Sequence, residues 1–200
     1  ALVCLFVALQ VQGQYYQQQI YTVEVPLSKE EVWQLWTTEA GITSFFSPAA
    51  NIGSAVGEPF EVLIDTSAAP GNQGNEGCVI TQYQPEDKIA FQWVAPPKFA
   101  AERSTKMEVF LQLESPSTKR TKVTLAHIGW KEGGQWDDVF AYFEKAWPWV
   151  MEAFEKQAYK MAYEPYDFVV GTWTVEGTQD YERWKQETKQ LTGSTYSIAG

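Results

Sequence analysis

The chain has 200 residues, 44% of them hydrophobic and 20% charged, and a formal net charge of −10 at pH 7. That length supports one sizeable core, or one domain with an appendage. The acidic balance argues against nucleic acid or an anionic membrane as partner, because phosphate binding needs a basic patch, and Lys119, Arg120 and Lys122 form the only Lys/Arg cluster.

Residues 1–13 are an uncharged apolar run ending in Val11-Gln12-Gly13, and the first charge is Glu24. This is the apolar core and cleavage region expected of a secretory signal peptide, clipped at its start because it lacks an initiator Met and a basic n-region. It is shorter than the about 20 apolar residues of a membrane span. The reading places the protein outside the cytoplasm, secreted or periplasmic, with no stable membrane insertion after cleavage. The alternative is a buried N-terminal strand or helix. Cys4 would leave with this segment, so Cys78 remains alone and reads as a small core residue.

Residues 14–19 read as a polar, Gln-rich spacer without regular structure. Tyr21, Val23 and Val25 alternate with Thr22 and Glu24, which predicts a half-buried strand ending at Pro26. Ser28 and Glu31 form a capping box at the start of a helix that carries Val32, Leu35 and Trp36 on one face. Gly41 is expected to break it. Ile42, Phe45 and Phe46 predict a second short helix before Pro48.

Five strands are expected next. Phe60, Val62 and Ile64 alternate, and residues 68–77 follow as a loop rich in Gly, Pro and Asn. Residues 78–83 form the next strand, and Pro85-Glu86-Asp87 a turn. Ile89, Phe91 and Trp93 share a face, before a loop that opens at Ala95-Pro96-Pro97. Met107, Val109, Leu111 and Leu113 alternate up to a turn at Ser115-Pro116-Ser117. Val123, Leu125 and His127 share a face on the last strand. After Gly133-Gly134, the residues Trp136, Phe140, Phe143, Trp147, Val150 and Phe154 recur at spacings of three and four. They make one stripe of a long amphipathic helix. Pro148 is expected to kink this helix or to divide it in two. Beyond it, 168–173 has the character of a strand and 176–191 that of a surface helix.

In their order and spacing, the segments TVEVPLSKEEVWQLWT, ITSFFSP, IAFQWVAPPKF, KVTLAHIGW and WDDVFAYFEKAWPWVMEAFEK resemble the START-like, or SRPBCC, superfamily. They are most similar to domains homologous to the C-terminal half of the activator of the heat-shock-protein-90 ATPase. The resemblance covers residues 20–160 and leaves 161–200 as an extension or linker. It implies an α+β helix-grip fold, in which a six-stranded antiparallel sheet wraps a long C-terminal helix and two short helices follow the first strand. It also implies an apolar cavity between sheet and helix. The inward positions that would line it are Phe91, Trp93, Val109, Leu111, Leu125 and His127 on the sheet, and Trp136, Phe140, Phe143 and Trp147 on the helix. The same rings serve equally well as plain core.

The sequence shows no catalytic, metal or cofactor set. A single His leaves no paired-His metal site or acid–base pair. There is no Gly-x-Ser-x-Gly elbow, phosphate loop or dinucleotide fingerprint. His127 reads as a core histidine bonded to a carbonyl or a Tyr, as a polar anchor for a ligand, or as a base. Three functions follow. The first is a non-catalytic extracytoplasmic domain that binds a small apolar or amphipathic molecule. The second is a protein-interaction or chaperone-accessory module with an apolar patch at 96–99 or at Phe45 and Phe46. The third is a cyclase-like enzyme using His127.

Overall fold

The computed structural model of the chain describes residues 17–167. The signal-like run and the strand and helix expected over 168–191 lie outside them. Strand β1 (Gln19–Val25) begins at the last residue of the expected spacer. Gln19 is buried, and its side-chain amide donates to the Phe140 carbonyl at 2.8 Å, tying the strand to the long helix.

Helix α1 (Lys29–Thr37) starts at the predicted capping box. The Glu31 N–H donates to Ser28 Oγ at 3.2 Å, and the Ser28 N–H donates to Glu31 Oε2 at 2.8 Å. Gly41 does not end this helix. Thr38 leaves the helical conformation and caps α2 (Glu39–Phe45), its Oγ1 accepting the Gly41 N–H at 3.0 Å. Gly41 is required by close approach, since a Cβ there would lie 2.3 Å from Gln34 O and 2.5 Å from Leu35 Cα. Both contacts are backbone and cannot rotate away. Gly41→Ala is therefore expected to lose about 3 kcal/mol, the upper part of the range for overpacking. A urea unfolding midpoint unchanged from wild type would contradict this packing.

The strands form two sheets rather than the single six-stranded sheet expected. The large one has five antiparallel strands in the order β1-β7-β6-β5-β4, and β2 (Ala49–Ile52) pairs separately with β3 (Phe60–Leu63). Asn75 explains the division. Its Oδ1 accepts the Val62 N–H at 2.5 Å and its Nδ2 donates to Phe60 O at 2.9 Å. From Phe60 O to Val62 N the edge of β3 is thereby occupied by a side chain, and contact with the start of β4 is confined to backbone bonds of Gly57, Glu58 and Phe60 with Cys78 and Ile80 around the isolated bridge Pro59↔Val79. Ile64, expected inside this strand, is exposed beyond its end.

Strands β4 (Ile80–Gln84), β5 (Lys88–Trp93), β6 (Met107–Ser117) and β7 (Arg120–Ile128) are successive hairpins. Registry sets Ile80, Phe91, Val109 and His127 in one row across them, with Ile89, Leu111 and Leu125 in the next. The last hairpin turns at Thr118-Lys119, not at Pro116. Pro116 lies exposed in the irregular stretch between Glu114 and Ser117, where a missing N–H costs little.

Helix α3 (Trp136–Asp167) covers the inner face of the sheet in 32 residues, unbroken at Pro148. Pro148 and Glu144, whose carbonyl the proline ring leaves without its helical donor, are both on the solvent side. Trp136, Phe143, Trp147, Val150 and Phe154 are buried as the spacing predicts, joined by Val139, Met151 and Ala158. Asp137 and Asp138 occupy the first turn, where carboxylates suit the helix dipole. Just before it, the Gln135 N–H donates to Glu102 Oε1 at 3.0 Å, so a distant carboxylate receives the helix start. No helix among the described residues is long and apolar enough to cross a membrane.

Candidate functional site

The row and stripe that form the core meet at a group of rings. Trp147 packs on Trp93 at 5.3 Å and on Phe143 at 5.9 Å between centroids, and Phe46 stacks on Trp93 at 5.8 Å. The outer side of this group is open. A cleft of about 310 Å³ lies over it, bounded by α3 from Tyr142 to Val150, by the chain after β5 and by the loop 64–75. On α3 the lining falls in two neighbouring rows, Tyr142, Ala146 and Trp149 in one and Phe143, Trp147 and Val150 in the other, as residues three and four apart share a helix face. Pro96 and Pro97 carry the chain away from Trp93 along the cleft wall.

The opposite wall is a loop with no regular structure, held by two side chains. Glu76 accepts the N–H groups of Gly71, Gln73 and Gly74 at 2.7, 2.9 and 2.8 Å. Arg103 donates through Nη2 to Gly71 O and Gly74 O at 2.8 and 2.5 Å, and through Nη1 to Ala95 O at 2.6 Å. Burial pushes the Glu76 carboxyl pKa up, but the backbone N–H bonds outweigh it and leave the group below its usual range. The wall is thus ionised at neutral pH and preformed. Asp65, at the rim, has its pKa lowered chiefly by the hydrogen bond from the Ser67 hydroxyl, with the Ser67 N–H adding to it.

His127 lies behind the cleft, not in it. It is fully buried. Trp147 Nε1 donates to its Nδ1 at 2.9 Å, which puts the imidazole proton on Nε2. That N–H has no hydrogen-bond partner among the described residues, and the ring packs edge-on against Phe143 at 4.9 Å. Burial pushes the His127 pKa down to about 3. The imidazole is therefore neutral, and its one basic lone pair is taken by an indole rather than by the carbonyl or Tyr partner expected. Trp147 is the partition, with its N–H toward His127 and its ring on the cleft.

Of the ten positions singled out in the sequence, Trp93, Phe143 and Trp147 line the cleft. Phe91, Val109, Leu111, Leu125 and His127 are buried on the inner face of the sheet, and Trp136 is buried at the start of α3. Phe140 packs on Trp130 at 4.9 Å. Phe46 and Phe99, considered as surface patches, are instead buried. Sequence reasoning missed Tyr142, Trp149, Arg103 and the loop 64–75. The available signal was Trp149, an indole placed off the apolar stripe. Cys78 is a buried thiol, its pKa raised by burial. No group of three or more His, Cys, Asp or Glu among the described residues could hold a metal.

Known proteins agree on the architecture. Protein MLL2253 from Mesorhizobium loti superposes with a TM-score of 0.57 at 16% identity, covering 70% of this chain and 96% of that one. Aha1 from Colwellia psychrerythraea, solved as a dimer, gives 0.54 at 17% identity over 71% and 96%. CalC, a self-sacrificing resistance protein from Micromonospora echinospora, gives 0.52 at 12% identity over 73% and 95%. At such identities these likenesses speak for the fold alone. No curated protein sequence matches the chain. Residues 26–158 match the family described as activator of Hsp90 ATPase homolog 1-like protein. With two thirds of its length in that match, and with a curved antiparallel sheet closed by one long C-terminal helix, the chain belongs to this family.

Proposed function

We propose that this chain is a non-catalytic binding domain that holds a small apolar or amphipathic molecule in the cleft over α3. The observation that carries the reading is where apolar surface is left uncovered. Among the described residues the exposed large hydrophobics are Ile20, Val56, Ile64, Tyr142 and Trp149, and the last three line this cleft. Scattered exposed apolar residues need no explanation, but a concentrated patch marks a binding site. Each 100 Å² of apolar ligand surface buried there contributes about 2.5 kcal/mol. The cleft is at the lower end of ligand-pocket volumes, about 300 to 1,000 Å³, so the ligand is small. Placement outside the cytoplasm belongs to the same proposal and rests on the composition of residues 1–13.

The test is tryptophan fluorescence of the full chain during titration with alkyl and aromatic compounds. Quenching that saturates near one equivalent is expected, and Trp149→Ala should weaken it about tenfold or more, as loss of a central aromatic anchor does at other interfaces. Saturable binding that Trp149→Ala leaves unchanged would place the ligand elsewhere and defeat the reading.

A second reading is a protein-interaction module. Membership of the Hsp90 ATPase activator family and the exposure of Trp149 support it. It predicts no response to any small molecule, together with a change in Hsp90 ATPase rate on adding the chain. A cyclase-like use of His127 has less support, since the imidazole is shielded by Trp147 and has no lone pair left to accept a proton.

A further inference from the structure

Resting on the cleft reading above, we infer that the cleft selects by charge and takes an organic cation, an amphiphile with an ammonium head, in preference to a carboxylate of the same size. Its lining holds the rings of Phe46, Trp93, Tyr142, Phe143, Trp147 and Trp149, of which Tyr142 and Trp149 are exposed. The faces of aromatic rings are negative and attract cations, most strongly where water is excluded.

The charged side chains of the lining are Asp65 and Arg103. Arg103 is not free to receive an anion. Both terminal nitrogens are committed to the carbonyls of Gly71, Gly74 and Ala95. Glu76 Oε2, 3.3 Å away, offsets its charge, and the side chain is only 14% exposed. Asp65 is exposed at the rim and makes no ion pair among the described residues. A carboxylate ligand would meet the Asp65 charge and aromatic rings, and the Lys98 ammonium beside the cleft already lies over the rings of Tyr142 and Phe99. An ammonium head would find the Asp65 charge and the rings favourable.

One ring already works this way within the protein. The Lys98 ammonium lies 4.9 Å from the Tyr142 ring centroid and 4.8 Å from that of Phe99. Size narrows the class further. At about 30 Å³ per water, the about 310 Å³ cleft holds about ten water-sized groups, enough for the decyl chain with its head group left at the open rim beside Asp65.

The experiment titrates the full chain with decyltrimethylammonium, 1-decanol and decanoate below their micelle-forming concentrations, read by tryptophan fluorescence. Decyltrimethylammonium is expected to bind about tenfold tighter than decanoate, with 1-decanol between them. Asp65→Asn should weaken the cation about threefold at low salt and leave 1-decanol unchanged. Lys98→Ala, which removes the neighbouring positive charge, should tighten the cation. Decanoate binding as well as or better than decyltrimethylammonium overturns this inference while the cleft reading stands, and so does an Asp65→Asn protein with undiminished affinity for the cation. Failure of all three compounds to bind overturns the cleft reading itself, and this inference with it.

Discussion

Trp147→Ala should come close to unfolding the protein. Trp147 is 1% exposed and touches the rings of Phe46, Trp93 and Phe143 as well as His127. Truncating a buried Trp costs about 3 to 5 kcal/mol through lost contacts and the cavity left behind. Removing the indole N–H also strands His127 Nδ1 in the interior, which adds about 1 to 3 kcal/mol. The sum is comparable with the whole stability of a domain, about 5 to 15 kcal/mol. Trp147→Phe weighs the two parts differently. It keeps a six-membered ring in place and loses the hydrogen bond with a smaller part of the packing, so it should cost less than Trp147→Ala. Urea unfolding followed by far-ultraviolet circular dichroism measures both. A Trp147→Ala protein less than about 2 kcal/mol weaker than wild type would mean that the indole is not the partition described.

Acid should weaken the fold well before the carboxylates titrate. His127 is the single histidine in the chain, and burial lowers its pKa from 6.5 to about 3. In the unfolded chain it takes up a proton below pH 6.5, and in the folded one it does not until about pH 3. The unfolded state therefore binds more protons across that window, and stability rises with pH. Stability is full above pH 6.5 and declines as the pH falls, approaching about 1.4 kcal/mol per unit. At pH 5 the loss is about 2 kcal/mol. Asp65 and Glu76, whose pKa values are also lowered in the fold, add appreciably to the decline only below about pH 5, as their unfolded forms take up protons. Unfolding free energies measured at pH 7, 6 and 5 thus report on His127. A flat profile over that range would contradict its burial as a neutral ring. Direct NMR titration of the imidazole offers a check without any substitution, with no protonation expected at pH 5.

Local chemistry made much of this fold legible. The alternation in β1, β5, β6 and β7 and the stripe on α3 depend only on which residues face inward, and the capping box at Ser28 is complete within four residues. What escaped depends on distant partners. Ala49–Ile52 has too little alternation to read as a strand, and pairs because β3 lies beside it. Gly41 looks like a helix breaker, yet its role is to let Gln34 and Leu35 come close. Pairing between β3 and β4 goes no further than the bonds of residues 57–60 with Cys78 and Ile80, because Asn75, from within a loop, satisfies Phe60 O and Val62 N on β3.

The cleft was less legible than the fold for the same reason. Trp93, Phe143 and Trp147 lie on apolar faces and were found by period. The wall opposite them exists because Arg103 reaches back to Gly71 and Gly74, about 30 residues earlier in the chain. Period alone also cannot separate a ring that lines a cleft from one that fills a core. His127 shares its inward face with Val123 and Leu125 as expected, but its separation from the cleft rests on one hydrogen bond from the helix.

The indole N–H signals give the most direct test of a ligand site on this face of α3. In a two-dimensional proton–nitrogen spectrum each indole reports on its own surroundings. During titration with a compound that binds, the signals of Trp93, Trp147 and Trp149, which line the cleft, should move together and saturate. Those of Trp33 and Trp36, buried where α1 meets the core, should stay in place. Saturable shifts at Trp33 and Trp36, with Trp149 unmoved, would show that the ligand binds elsewhere and that the cleft is not the site.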